Sequence, residues 1–144
     1  MSDAFASLFR IAVGLYWLYY ASQKWQGVDW MKGLIQATAN ANPIPGLHEF
    51  LAQVVAPNWF PFAIAQAVGE TVVAVLLIIG LGTRWAGALG FLLAVNLALT
   101  VGFAVDPGFR WLYYLAVLVN AQVIISGPGP YALSRFNWVP SYLR

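Results

Sequence analysis

Apolar residues fall into four long runs, at residues 4–23, 60–81, 85–103 and 110–126. A helix needs about 20 apolar residues to cross the hydrocarbon core of a bilayer, and each run approaches that length. The first and last are short, and their Tyr and Trp residues suit the headgroup layer at the span ends. The pattern predicts an all-α membrane protein, a bundle of four transmembrane helices forming a single domain over residues 1–144.

The interruptions have physical causes. Gly80-Leu81-Gly82-Thr83-Arg84 leaves room only for a tight hairpin between the second and third spans. Asp106-Pro107-Gly108 is a turn signal between the third and fourth. Gly127-Pro128-Gly129-Pro130 stops the fourth, because proline lacks the helical N–H donor. The tail from Tyr131 is aromatic and basic and suits the membrane interface. Residues 24–59 form the one sizeable extramembrane piece. Two short interfacial helices are expected in it, near residues 29–39 and 45–55. In the second, Leu47, Phe50, Leu51, Val54 and Val55 share a face, an amphipathic pattern for lying on the bilayer or capping the bundle. An irregular loop held by Pro43, Pro45 and Pro57 is the competing reading.

Composition supports the membrane assignment. Of 144 residues, 61% are hydrophobic and 8% charged, whereas a soluble domain is about a quarter charged. Twelve charged side chains cannot clothe this chain in water, so lipid must solvate much of its outside. A net charge of +2 without a basic cluster gives no surface for tracking nucleic acid. The absence of cysteine excludes disulfides, thiolate metal sites and Cys-ligated clusters, and a single histidine, His48, excludes a His-pair metal or haem site within the chain. The N-terminal run lacks a basic n-region ahead of it and reads as an uncleaved first helix rather than a signal peptide. Four spans put both termini on one side, with Arg10, Arg84, Arg135 and Arg144. Lys24, Lys32 and Arg110 lie on the other, and the four-to-three count places the termini in the cytoplasm.

The polar residues inside the spans carry the chemistry. Glu70 stands deep in the second span, where an acid costs roughly 2.5–3.5 kcal/mol to insert. It must face the bundle interior and be protonated or held by a cation. Gln66, four residues earlier, shares its helix face. Asn96 and Asn120 stand mid-span in the third and fourth helices, with Gln122 near the latter. Together these residues predict a shared polar seam. Glu70 is the candidate for proton exchange, while the asparagines also suit interhelical glue. Arg10 and Lys24 complete the candidate ligand-binding set, yet each can instead snorkel to the headgroups. For Arg10 the two readings stand level; for Lys24 snorkelling is expected. Gly14, Gly69, Gly87 and Gly90 suit close helix packing. Tyr16, Trp17, Tyr19 and Tyr20 read as interfacial belt and core, or as a flat pocket for a quinone ring.

The pattern Arg10-Ile-Ala-Val-Gly14 followed by Trp17-Leu-Tyr-Tyr-Ala-Ser-Gln23-Lys24 resembles the opening helix of the DoxX/DoxD family. Glu70-Thr-Val-Val-Ala-Val-Leu-Leu-Ile-Ile-Gly80-Leu-Gly-Thr83-Arg84 is similar to its acidic second helix and Gly-Leu-x-Thr-Arg hairpin. Gly127-Pro-Gly129-Pro-Tyr131-Ala-Leu133-Ser134 is similar to its closing turn, departing where Arg135 replaces an acid that often follows the serine. The resemblance implies four helices in a prokaryotic inner membrane, with Arg10, Lys24, Glu70 and Arg84 on recurrent charged positions. One branch of the family is the small membrane subunit of thiosulfate:quinone oxidoreductase. The resemblance therefore implies a quinone-facing subunit of a redox complex, with quinone as ligand and no covalently bound cofactor. A buried acid would suit proton exchange with such a ring. A non-catalytic scaffold docking partner subunits is the alternative and a small-solute transporter the third; a homo-oligomer is a further partner reading.

Overall fold

The computed structural model describes residues 3–136, 139 and 140, leaving the side chain of Asp3 aside. The order of elements is α1 (Asp3–Trp25), α2 (Trp30–Ala41), α3 (Leu47–Phe50), a π turn (Leu51–Val55), α4 (Trp59–Ile79), α5 (Thr83–Leu99), α6 (Val101–Ala104), α7 (Pro107–Ser126) and a 3-10 turn (Leu133–Arg135). Four helical stretches are long and apolar enough to span a bilayer: Ala4–Trp25, Trp59–Ile79, Thr83–Ala104 and Pro107–Ser126. The predicted four-helix membrane bundle is the fold, and the chain is a multi-pass membrane protein.

α1 packs mainly on α4, α4 on α5 and α5 on α7, while α1 touches α7 more lightly. Lipid tails are as apolar as the core, so association rests on close packing and internal hydrogen bonds. The core is accordingly rich in small residues: Ala74, Ala86, Ala94 and Ala116 pack around Trp17, Val73, Leu77 and Val123. Gly90 belongs to this close approach, because a Cβ there would strike the Asn120 side chain and Val73.

The hairpin between α4 and α5 turns on two left-handed glycines, Gly80 at φ 76° and Gly82 at φ 55°. A Cβ on Gly80 would lie 2.8 Å from both Ala132 and the Arg10 guanidinium carbon. α7 begins with Asp106, whose carboxylate accepts from the Gly108 amide at 2.8 Å, and with Pro107 at the first helical position.

The third span was expected to run unbroken through Phe103, but it breaks at Thr100 (φ −115°, ψ −82°). The Thr100 hydroxyl donates to the Asn96 carbonyl at 2.6 Å, a local bond that bends helices. The carbonyls left open by the break and by the end of α6 are met by side chains: Asn42 Nδ2 donates to Leu99 O at 2.8 Å and Arg110 Nε to Gly102 O at 2.7 Å. Irregular backbone at membrane depth is tolerated only where partners of this kind exist.

Both short helices expected in the long connection are present. The second is α3 continued by the π turn, and its apolar stripe divides. Leu51 and Val55 are buried and pack on Ala39 and Ile35 of α2, while Phe50 and Val54 face outward. The extra residue in a π turn rotates the stripe, so one part caps the bundle and the other faces outward. Glu49 lies outside the spans. The backbone amides of Glu49 itself and of Gly46 hold its carboxyl below the usual carboxylate range.

Candidate functional site

One face of α1 carries two buried cations, Arg10 and Lys24, and the buried Ser7 hydroxyl. Ser7, Arg10, Gly14, Trp17, Ala21 and Lys24 are all buried and recur at alternating steps of three and four, a single helical stripe turned to the bundle. The Lys24 ammonium lies 2.7 Å from Glu70 Oε2 and 3.0 Å from Oε1. Gln66 Nε2 donates to Oε1 at 2.9 Å. Glu70 has no exposed surface and Lys24 only 7%. The expectation that Lys24 snorkels is therefore overturned, because its stripe on α1 directs it inward and Glu70 supplies the opposite charge. Glu70 faces the interior, as its insertion cost required, with a cation and an amide as partners.

Trp25 Nε1 donates to Thr71 Oγ1 at 2.9 Å, adding a second tie from the end of α1 to α4. Trp17 Nε1 donates to Asn120 Oδ1 at 3.1 Å, and Asn120 Nδ2 donates to Ala116 O at 2.8 Å. Asn120 thus joins α1 to α7.

Arg10 does not join this seam. Its guanidinium is wholly buried at the opposite end of α1. It donates to the carbonyls of Leu77 and of Ile78 (3.0 Å), Pro128 (3.1 Å) and Tyr131 (3.0 Å). Leu77 and Ile78 close α4, where carbonyls lack helical partners and the helix dipole favours a cation. Arg10 therefore staples the closing turn to the end of α4, assisted by Ser7 Oγ, which accepts from Tyr131 N at 3.1 Å. Neither reading set level for it, snorkelling or a partner in the seam, describes this role.

Asn96 also lies outside the seam. It is exposed on the outer face of α5, and its side-chain amide has no hydrogen-bond partner among the described residues. The rotation of α5 that turns Gly87, Gly90 and Ala94 inward carries Asn96 outward. Gln122 bonds locally, to Ser126 Oγ at 2.9 Å.

A cleft of about 400 Å³ opens between α1 and α7. Tyr16, Tyr20, Tyr113, Val105, Asp106, Phe109 and Leu112 line it. Tyr16 and Tyr20 stand with ring centroids 4.9 Å apart. Lys24, Gln66 and Glu70 do not line this cleft; Tyr16 and Lys24 share α1, and Glu70 meets Lys24 from α4. The aromatic run of α1 marked one wall of this cleft in the sequence. Tyr113 went unnoticed, because a tyrosine near a span end ordinarily signals the interface. Its position one turn ahead of Ala116, the first buried residue of α7, was the available clue.

Chemically, the cleft offers tyrosine hydroxyl donors and the Asp106 carboxylate among apolar walls.

The model of the DoxX family matches residues 5–105. That stretch contains Lys24, Gln66 and Glu70, while Tyr113, Asn120 and the closing turn lie beyond it. No curated protein and no solved structure matches the chain. With nearly all of its first three spans inside the matched stretch, this chain belongs to the DoxX family.

Proposed function

We propose that the chain is a quinone-facing subunit of a redox complex in a prokaryotic inner membrane, of the thiosulfate:quinone oxidoreductase kind, with a partner subunit delivering electrons. The observation that carries this reading is the tyrosine-lined cleft between α1 and α7, in a bundle whose α1 also carries the lysine of the buried Lys24–Glu70 pair. The cleft's volume lies within the usual range for small-molecule sites, and its walls combine apolar surface with a few polar groups. A bound quinone supplies two-electron, two-proton redox chemistry. Tyr16 and Tyr113 orient the ring by donating to its oxygens. Phe109 and Leu112 cover its apolar faces and exclude water. Glu70, held by Lys24 and Gln66, holds or passes a proton. A group that shares its charge with a cation can do so without the full penalty of an isolated buried carboxylate.

Equilibrium binding of a short-chain quinone analogue to the purified protein in detergent tests the proposal. Loss of one hydrogen bond corresponds to roughly 0.5–1.5 kcal/mol, so Tyr16→Phe or Tyr113→Phe should each raise the Kd about twofold to tenfold. Saturable binding that neither variant weakens would place quinone elsewhere. No saturable binding at all would favour the scaffold.

A further inference from the structure

The outer face of α5 carries a polar group at a depth where lipid offers it nothing. Asn96 is exposed near the middle of the third span, without a hydrogen-bond partner among the described residues. Its side chain is too short to reach the headgroups from there, unlike a lysine or arginine. Trp85, Leu92 and Leu99 are 71%, 63% and 44% exposed on the same face. With Asn96 and Leu89, the latter partly buried against the core, they recur at steps of four and three, the seam pattern of two helices packing along their length. Asn96 occupies a position of that seam where a single asparagine fixes register and strand number in paired helices.

We propose that α5 is a self-association surface, and that its occupant is α5 of a second copy of this chain. Polar self-complementarity selects that occupant. A primary amide is both donor and acceptor, so two copies related by a two-fold axis along the membrane normal can exchange reciprocal bonds. A second copy in the same membrane orientation presents its Asn96 at the same depth by symmetry. An unrelated partner would have to bring its own polar group to that level. The surface is separate from the cleft between α1 and α7, so the proposal stands or falls independently of quinone binding.

The chain has no native cysteine, so single cysteines report the seam directly. Leu92→Cys and Leu99→Cys should each form a disulfide-linked dimer on mild oxidation in native membranes. Leu118→Cys, equally exposed on α7, should not. In the Leu92→Cys background, Asn96→Leu should raise the dimer dissociation constant about tenfold or more, as expected for losing two intramembrane hydrogen bonds, and Asn96→Gln should largely retain the dimer. Because the Asn96 side chain is exposed and makes no hydrogen bond among the described residues, Asn96→Leu should leave the monomer's unfolding curve unchanged. Equal cross-linking at positions 92 and 118, an undiminished dimer in Asn96→Leu, or adducts only to a different protein would each overturn the proposal.

Discussion

Lys24 and Glu70 illustrate how a costly residue becomes tolerable in a membrane. Neither charge could stay at that depth alone, and the pair persists because each neutralises the other while Gln66 takes a further lone pair. Glu70→Gln should therefore be strongly destabilising, by roughly 3–5 kcal/mol, because it strands a buried ammonium. The combined change Lys24→Met with Glu70→Leu should recover most of that loss. Unfolding in detergent measures both, and equal stability of wild type and Glu70→Gln would show that the pair carries no such energy. Asn120→Leu should cost roughly 0.6–1.7 kcal/mol, the range for an intramembrane hydrogen bond, because Trp17 loses its acceptor. Asn96 and Asn120 looked alike in the sequence, both polar and mid-span. Only the rotation of each helix separates them, and hydropathy does not record rotation in a span that is apolar all round. Gln23 and Trp25 beside Lys24 resemble an interface flank, which hides its inward position in the sequence. The stripe through Arg10, Gly14, Trp17 and Ala21 already placed it on the inner face.

At the level of elements, the hairpin between α4 and α5 depends on Gly80. Its left-handed φ and its contact with Arg10 and Ala132 leave no room for a side chain. Gly80→Ala should destabilise the bundle by more than about 1 kcal/mol, since neither the conformation nor the space accepts a Cβ. Wild-type stability in that variant would mean that the hairpin can relax away from Arg10. The span positions, the two short helices and the turn signals were legible because each follows from run length, glycine or proline. The break at Thr100 was not. It arises from a hydroxyl bonding its own helix and from Asn42, 57 residues before Leu99 in the chain, reaching the Leu99 carbonyl.

Across the whole molecule, the bundle has two distinct ends. One holds the hairpin, Arg10 and the closing turn; the other holds α2, α3 and the mouth of the tyrosine cleft. The balance of Lys and Arg between them predicts cytoplasmic termini. With an impermeant thiol reagent on intact cells, Asn40→Cys should be labelled and Tyr131→Cys only after permeabilisation. The reverse pattern would invert the topology. The cleft itself was only half legible: Tyr16 and Tyr20 stood out in an aromatic run, whereas Tyr113 joins them through the packing of α7 beside α1. The proposed quinone site is this cleft between α1 and α7. Photolabelling in native membranes with an azido-quinone, followed by peptide mapping, tests it most directly. Labelled sites should concentrate at residues 16–20 and 109–113 and disappear in the presence of excess unlabelled quinone. Labelling spread over the lipid-facing surface of α5 and α7 and unaffected by that competition would contradict it.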